Sequence, residues 1–186
     1  MKNFGIGILA LLLLGQITTT SCVPDPDGGL DCTYPSLVNL DSIKQVFYSP
    51  YHDHRFARET DTVRFEDFGI TAEFGFQNIN QTKNPYERVY PGACASVFNV
   101  QNVSNIELYL TSPFGTLSTG TEVSYLFLTD DGTALNRFRN FRRMNQYMNL
   151  KLKERPSQAS QINTRLVVYF RDGTSKSLSS NSPVIR

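Results

Sequence analysis

Strict alternation of apolar and polar side chains is the feature that most constrains the fold of this chain. Within 62–79 the apolar side chains at alternate positions are Val63, Phe65, Ile70, Ala72, Phe74 and Phe76. Because successive side chains of a β-strand point to opposite faces, this pattern is typical of strands with one buried face. We predict a strand pair here, or one long strand with a bulge at 67–69.

Further strands are predicted along the rest of the chain. Alternation recurs at 105–111, and the uniformly apolar run 122–129 predicts a central strand that is covered on both faces. The runs 164–171 and 174–180 flank Asp172-Gly173, and this arrangement predicts a β-hairpin with a tight primed turn.

Helical signals are few. Apolar residues near helical spacing predict short helices only at 37–47 and 135–144. Short strands separated by turn signals, without a regular alternation of strands and helices, indicate an all-β fold. We predict a single antiparallel β-sandwich, loosely immunoglobulin-like, with one or two short helices in loops.

The first 21 residues have the three-part layout of a secretory signal peptide. Lys2 supplies a positive charge, 4–14 is apolar, and 15–21 is small and polar. The apolar stretch has about half of the roughly 20 residues that a membrane-spanning helix needs. We therefore predict that 1–21 is a signal peptide that is removed on export.

The junction Ser21-Cys22 resembles that of bacterial lipoproteins, in which a small residue precedes a cysteine that is lipidated on its sulfur. The resemblance implies acyl chains on Cys22. The prolines, glycines and aspartates that follow cannot form a helix or a central strand, so we predict a solvated tether over 22–31 and a folded domain over 32–186. The strict pattern has leucine where this chain has Thr19, so ordinary signal cleavage near the same place is the alternative. Lipidation would place the protein in the cell envelope, at the outer membrane, on the periplasmic or the surface face.

The later half of the chain carries a second resemblance. The segments NVSNIELYLTS, GTEVSYLFL, MNLKLKERPS and TRLVVYFRDGTSKSLSSNSPVIR are similar to those of a family of uncharacterised Bacteroidetes surface and envelope lipoproteins. The likeness covers roughly 94–186. It implies an envelope lipoprotein and brings no known activity.

Cysteine number fits an exported protein. Once Cys22 is lipidated, Cys32 and Cys94 remain as an even pair in an oxidising compartment. We predict that these two cysteines form a disulfide. The alternative is two separate buried thiols.

Charge is balanced overall but is divided along the chain. Residues 23–136 contain 6 basic and 15 acidic side chains, whereas 137–186 contain 11 basic and 2 acidic ones. Acidic strands could pair beside basic strands, which stabilises a sheet by a few tenths of a kcal/mol per pair. Alternatively, the basic residues form a face for anionic glycans or membrane phosphates.

The segment YHDHR holds both histidines of the protein. In an extended chain His52 and His54 would share one face at about 7 Å, near enough to hold one metal ion. A closed site would need one or two further ligands. Exposed loop histidines are the alternative interpretation.

No motif predicts catalysis or a bound cofactor. No serine lies in a Gly-x-Ser-x-Gly motif, and the only histidine bases are the pair at 52 and 54. The adjacent acids at 66–67 and 130–131 could serve a glycoside hydrolase, but such pairs are more typical of turns. We expect a non-enzymatic protein without a cofactor, with a hydrolase as the less favoured alternative.

The segment NRFRNFRRMNQY at 136–147 interleaves arginines with aromatic rings. Its candidate binding residues are Arg137, Arg139, Arg142 and Arg143, interleaved with Phe138, Phe141 and Tyr147. Guanidinium groups bind phosphate, sulfate and carboxylate, so an anionic glycan, lipid phosphates or an acidic envelope protein would be suitable partners. Export argues against nucleic acid. Alternatively, the phenylalanines anchor the loop while the arginines stay in solvent or pair with acids.

We expect Cys22→Ala to release the protein from the membrane fraction. Each buried methylene of an acyl chain contributes about 0.8 kcal/mol to membrane binding, so two or three chains hold a domain firmly. Fractionation and intact-mass analysis of protein from its native host would measure the effect. An unmodified start, or a retained leader, in the wild-type protein would contradict the lipid anchor.

Overall fold

The computed structural model describes residues 35–79 and 97–186 of the chain. This part is built from thirteen β-strands and four short 3-10 helices, without an α-helix. The all-β prediction is confirmed. Within the described residues, no helix is long and apolar enough to cross a membrane. The predicted signal peptide, Cys22, Cys32 and Cys94 lie outside the described residues.

The strands have the following bounds. They are β1 (Ser36–His52), β2 (Arg55–Ala57), β3 (Thr62–Val63), β4 (Gly69–Asn78), β5 (Val97–Val100), β6 (Val103–Leu110), β7 (Phe127–Thr129), β8 (Met144–Asn145), β9 (Tyr147–Leu152), β10 (Ser160–Gln161), β11 (Thr164–Phe170), β12 (Ser175–Ser180) and β13 (Val184–Ile185). The 3-10 helices are Phe65–Asp67, Ser124–Leu126, Leu135–Arg137 and Phe141–Arg143.

Within the described residues, the strands form three sheets. The large sheet has the order β7-β9-β4-β1-β5-β8, with β2 paired to the end of β1. A second sheet has the order β12-β11-β6, and a small third sheet has the order β10-β13-β3. Pairing is antiparallel except between β1 and β5 and between β13 and β3.

The large sheet and the second sheet share one hydrophobic core, as in a sandwich. The core side chains from β1 and β4 are Val38, Leu40, Tyr48, Ile70, Ala72 and Phe74. Those from β6 and β11 are Val103, Ile106, Leu108, Leu110, Leu166, Val168 and Phe170. The alternating apolar residues predicted for 70–76 and 105–111 therefore face this core.

The predicted helix at 37–47 is wrong, because this segment is the middle of β1. The pairing with β4 shifts between Leu40 and Ser42, and again between Ile43 and Gln45. Each bulge adds one residue to β1, so the inward-facing positions near it are spaced by three residues instead of two. The inward residues Leu40, Ile43 and Val46 therefore imitate helical spacing.

The large sheet curls until its last strand in the order, β8, meets β9 near the other end. Strands β8 and β9 are separated only by Gln146, whose C=O accepts the N–H of Phe74 at 2.9 Å. However, β8 pairs with β5 on one side of β1, whereas β9 pairs with β4 on the other. The path β9-β4-β1-β5-β8 therefore returns to its start. Bulges increase the twist of a strand, and the two bulges of β1 favour this curl.

The predicted hairpin at the C-terminal end is confirmed, but its turn differs. The N–H of Phe170 donates to the C=O of Thr174, so three residues form the loop, and Gly173 has φ of 86°. A three-residue loop with glycine in the left-handed region replaces the two-residue primed turn. Asp172 Oδ1 accepts the N–H and the O–H of Thr174.

Two further segments differ from their predicted form. Only Phe127–Thr129 of the predicted central strand 122–129 is a strand, and it lies at an end of the sheet order. The 3-10 helix Ser124–Leu126 precedes it, and Ser124 Oγ accepts the N–H of Leu108 in β6. The helix predicted at 135–144 is present as two separate 3-10 helices.

Asn102 occupies the edge of β1 where its pairing with β5 ends. Its Oδ1 accepts the N–H of Leu40 at 2.8 Å, and its Nδ2 donates to the C=O of Leu40 at 2.9 Å. Leu40 is 2% exposed, so water cannot easily replace this side chain. The amide therefore satisfies two backbone groups as a neighbouring strand would.

We expect Asn102→Ala to lower the free energy of unfolding by about 2 kcal/mol, because it leaves both backbone groups of Leu40 without a partner. Urea unfolding followed by circular dichroism measures the change. Gln101→Ala is the matched control, since Gln101 is exposed and its side chain bonds only Asn99 within the described residues. Equal stability of the two variants would contradict this role of Asn102.

Candidate functional site

The loop between β7 and β8 carries the four predicted arginines, and we call residues 137–143 the arginine loop. Aromatic side chains of the loop attach it to the hydrophobic core. Phe141 is 5% exposed, and its ring meets that of the half-buried Phe138 edge to face at 5.5 Å. Leu135, just before the loop, is fully buried. The loop is therefore attached to the core at three points.

All four arginines of the loop project into solvent. Arg137, Arg139, Arg142 and Arg143 are exposed. Among the ion pairs in 35–79 and 97–186, none involves these guanidinium groups. Arg139 Nη1 donates to the neighbouring C=O of Phe138 at 2.6 Å. The loop thus presents positive charge that the described carboxylates do not neutralise.

A cleft of about 140 Å³ lies beside the arginine loop. Phe138, Met144 and Met148 supply apolar side chains to its lining. Its polar lining residues are Thr129, Asp130, Asp131, Arg143, Asn145, Tyr147 and Asn149. The lining thus offers both apolar surface and several polar and charged groups, which a ligand with both kinds of surface could contact.

A chain of side-chain hydrogen bonds fixes one wall of this cleft. Thr71 Oγ1 on β4 donates to Asn149 Oδ1 on β9 at 2.9 Å. Asn149 Nδ2 in turn donates to Asp130 Oδ2 at 2.9 Å. Asp130 is therefore held by groups on two paired strands.

One member of each pair of adjacent acids is engaged in a contact outside its pair. Asp131 Oδ1 accepts the Thr129 hydroxyl and the Thr133 N–H, and these bonds lower the pKa of Asp131. Its carboxylate is thus part of the turn. In the pair at 66–67, Glu66 is exposed, and its Oε1 lies 3.5 Å from Nη2 of Arg155.

The two histidines lie at a tight turn and not in an extended segment. Strand β1 ends at His52 and β2 begins at Arg55, and the two residues between them, Asp53 and His54, have φ of 50° and 61°. This is a two-residue primed hairpin turn, so the extended geometry that would put both histidines on one face is not formed, and both side chains are exposed. Within 35–79 and 97–186, no group of three or more His, Cys, Asp or Glu side chains could hold a metal ion.

An arginine–aspartate pair supports this hairpin. Arg55 Nη1 and Nη2 donate to the two oxygens of Asp61, the second at 3.1 Å. The N–H of Arg58 also donates to Asp61 at 2.8 Å. These groups, Arg55 foremost, lower the pKa of Asp61 to about 2.

A buried carboxylate on the outer face of the large sheet was not predicted from the sequence. Glu73 is 8% exposed and accepts hydrogen bonds from Gln45 at 2.6 Å, Gln146 at 3.1 Å and Lys44 at 3.3 Å. These donors, with Gln45 the largest cause, lower the pKa of Glu73. Its position in the alternation indicated only an outward-facing residue.

A second polar cluster was also missed, on the outer face of β6 and β11. Glu107 accepts hydrogen bonds from Tyr109 Oη at 2.6 Å and from Asn105 Nδ2 at 2.7 Å. The hydroxyls of Tyr109 and Tyr169 lie 3.1 Å apart. Glu107 is the main cause of a raised pKa for Tyr109, followed by Tyr169. Every second residue of β6 contributes to this cluster, so the alternation could have indicated it.

Comparison with protein-family models, with curated proteins and with solved structures found no match to this chain. The resemblance to Bacteroidetes lipoproteins therefore stays a prediction. The assignment of candidate binding residues depends on the geometry described above.

We expect the Arg55–Asp61 pair to stabilise the protein at neutral pH and to lose this effect in acid. Because the pKa of Asp61 falls from 3.8 to about 2 on folding, the stabilisation is complete above about pH 4 and disappears as the pH falls through about 2. Asp61→Asn should be less stable than wild type at pH 7, and most of this difference should be lost at pH 2, where about half of the folded wild-type molecules have Asp61 protonated.

Urea unfolding of wild type, Asp61→Asn, Arg55→Ala and the double variant at both pH values measures the coupling between the two residues. A coupling that is the same at pH 7 and pH 2 would contradict the charge-based interpretation.

Proposed function

We propose that the protein is a non-enzymatic binding module of the cell envelope, anchored by acyl chains on Cys22, and that its arginine loop binds an anionic glycan. One observation carries the proposal: four exposed arginines stand on a loop anchored by aromatic rings, and no described carboxylate neutralises them.

The geometry of the loop favours an anionic ligand for two reasons. Guanidinium groups form paired hydrogen bonds with phosphate, sulfate and carboxylate oxygens. The packing of Phe138 and Phe141 also limits the motion of the backbone that carries these groups. A loop that is already ordered loses less conformational entropy when it binds.

The envelope location is supported by the N-terminal sequence. A short apolar stretch, a small residue before Cys22 and a tether with prolines, glycines and aspartates fit an exported lipoprotein. Glycans and phosphorylated lipids are abundant at that location, whereas nucleic acid is not an expected partner.

A second candidate function, docking onto an envelope protein, is favoured by the aromatic tip of the β1–β2 hairpin. Tyr51 is 60% exposed and Phe56 is 38% exposed. The centroid of the Phe56 ring lies 4.9 Å from that of Tyr51 and 4.5 Å from that of Phe47. Exposed aromatic groups of this kind are enriched in protein interfaces.

We expect the protein, purified with its anchor in a non-ionic detergent, to bind anionic glycans in preference to neutral ones. Arg142→Ala with Arg143→Ala should weaken binding by roughly tenfold or more, because each lost charged hydrogen bond contributes about 1.5–3 kcal/mol. Calorimetric titration with dextran sulfate, heparin, alginate and neutral dextran measures this.

Arg58→Ala with Arg64→Ala is the matched control, since both arginines are exposed and lie outside the loop. The affinity of this control should equal that of wild type. Failure of every anionic glycan to bind, or an equal loss in both double variants, would refute the role of the arginine loop.

A further inference from the structure

We propose that the cleft beside the arginine loop is a subsite for a sugar ring of an acidic glycan. Arg143 binds the acidic substituent, Tyr147 packs against the ring face, and Asp130 accepts hydrogen bonds from ring hydroxyls. This inference rests on the proposed function and adds the part of the ligand that the site would recognise.

The cleft contains charges of both signs. Arg143 lines the same 140 Å³ space as Asp130 and Asp131, and Oδ1 of Asp131 is already bonded within its own turn. A ligand that carried only negative charge would be attracted by Arg143 and repelled by Asp130. A sugar with one acidic group and several hydroxyls satisfies both residues, because hydroxyls donate to carboxylates. The carboxylate therefore selects for ligands that have O–H or N–H donors.

Asp130 is positioned to accept such donors. Only its Oδ2 accepts a hydrogen bond within the described residues, from Asn149 Nδ2 at 2.9 Å. Asn149 is itself held by Thr71 at 2.9 Å, and both lie on paired strands of the large sheet. Oδ1 of Asp130 is thus available to a ligand while the orientation of the carboxylate is fixed. Sites supported in this way on strands are more rigid than sites on loops alone.

Tyr147 supplies an aromatic surface at the same cleft. Its side chain is 47% exposed, although it begins strand β9 between the buried Met144 and Met148. An aromatic ring has an apolar face and a polar edge, and it can cover the C–H face of a sugar while hydroxyls bind neighbouring polar groups. Phe138 and Met148 extend the apolar part of the lining.

The test compares glycans with a polyanion that has no sugar ring. We expect the full-length protein in non-ionic detergent to bind at least one of dextran sulfate, heparin and alginate about tenfold more tightly than inorganic polyphosphate at equal charge concentration. Tyr147→Ala and Asp130→Asn should each lower the affinity for that glycan by roughly fivefold to tenfold. Neither should weaken polyphosphate binding.

Tyr125→Ala and Asp67→Asn are the matched controls, since both residues are exposed and neither lines the cleft. Thermal unfolding of each variant checks that the fold is retained. If glycans and polyphosphate bind equally well, or if the cleft variants lower both affinities equally or neither, the subsite is refuted while the arginine loop remains a polyanion site. If neither class binds, both proposals fail.

Discussion

Strand β1 bends twice while its apolar side chains stay on one face, and the large sheet depends on this bend. The bulges at Asp41 and Lys44 let Leu40, Ile43 and Val46 all face the core opposite β4. Without them, alternation would turn some of these side chains to solvent. The extra twist at bulges also lets β1 pair with β4 along most of its length, with β5 near its start and with β2 at its end.

The curled sheet also determines where the candidate ligand groups lie. Because Gln146 is the single residue between β8 and β9, the arginine loop that leads into β8 is held next to the start of β9. Tyr147 and Asn149 on β9 therefore line one cleft with Arg143, and the turn after β7 adds Asp130. A flat sheet with the same strand order would separate β8 from β9 by three strands. The cleft thus depends on the meeting of β8 and β9 in the curled sheet, and not on the arginine loop alone.

Sequence patterns predicted the strands whose alternation is uninterrupted and missed features that depend on tertiary pairing. Strands β4, β6 and β11 were recognisable because one face of each is buried along its length. Strand β1 was mistaken for a helix because bulges depend on the partner strand, which the local sequence does not identify. The Asp53–His54 turn lacks the glycine that usually marks positive φ. The arginines could be named from sequence, but the Thr71–Asn149–Asp130 contacts join residues distant along the chain.

Within the described residues, ion pairs cancel only a small part of the uneven charge of the chain. In the described part of the chain, two ion pairs, Lys44–Glu73 and Arg55–Asp61, join residues that both lie before residue 137. Two others, Glu66–Arg155 and Asp41–Lys176, connect the acidic and basic halves, and their side chains are 49% exposed or more. Exposed pairs of this kind contribute about 0–1 kcal/mol each to the free energy of unfolding. Pairing between the two halves therefore does not explain why the basic residues are concentrated late in the chain. Because none of the ion pairs among the described residues includes the arginine loop, its charge would be available to the proposed ligand, and the carboxylate of Asp130 in the adjacent cleft would disfavour anions that lack hydrogen-bond donors.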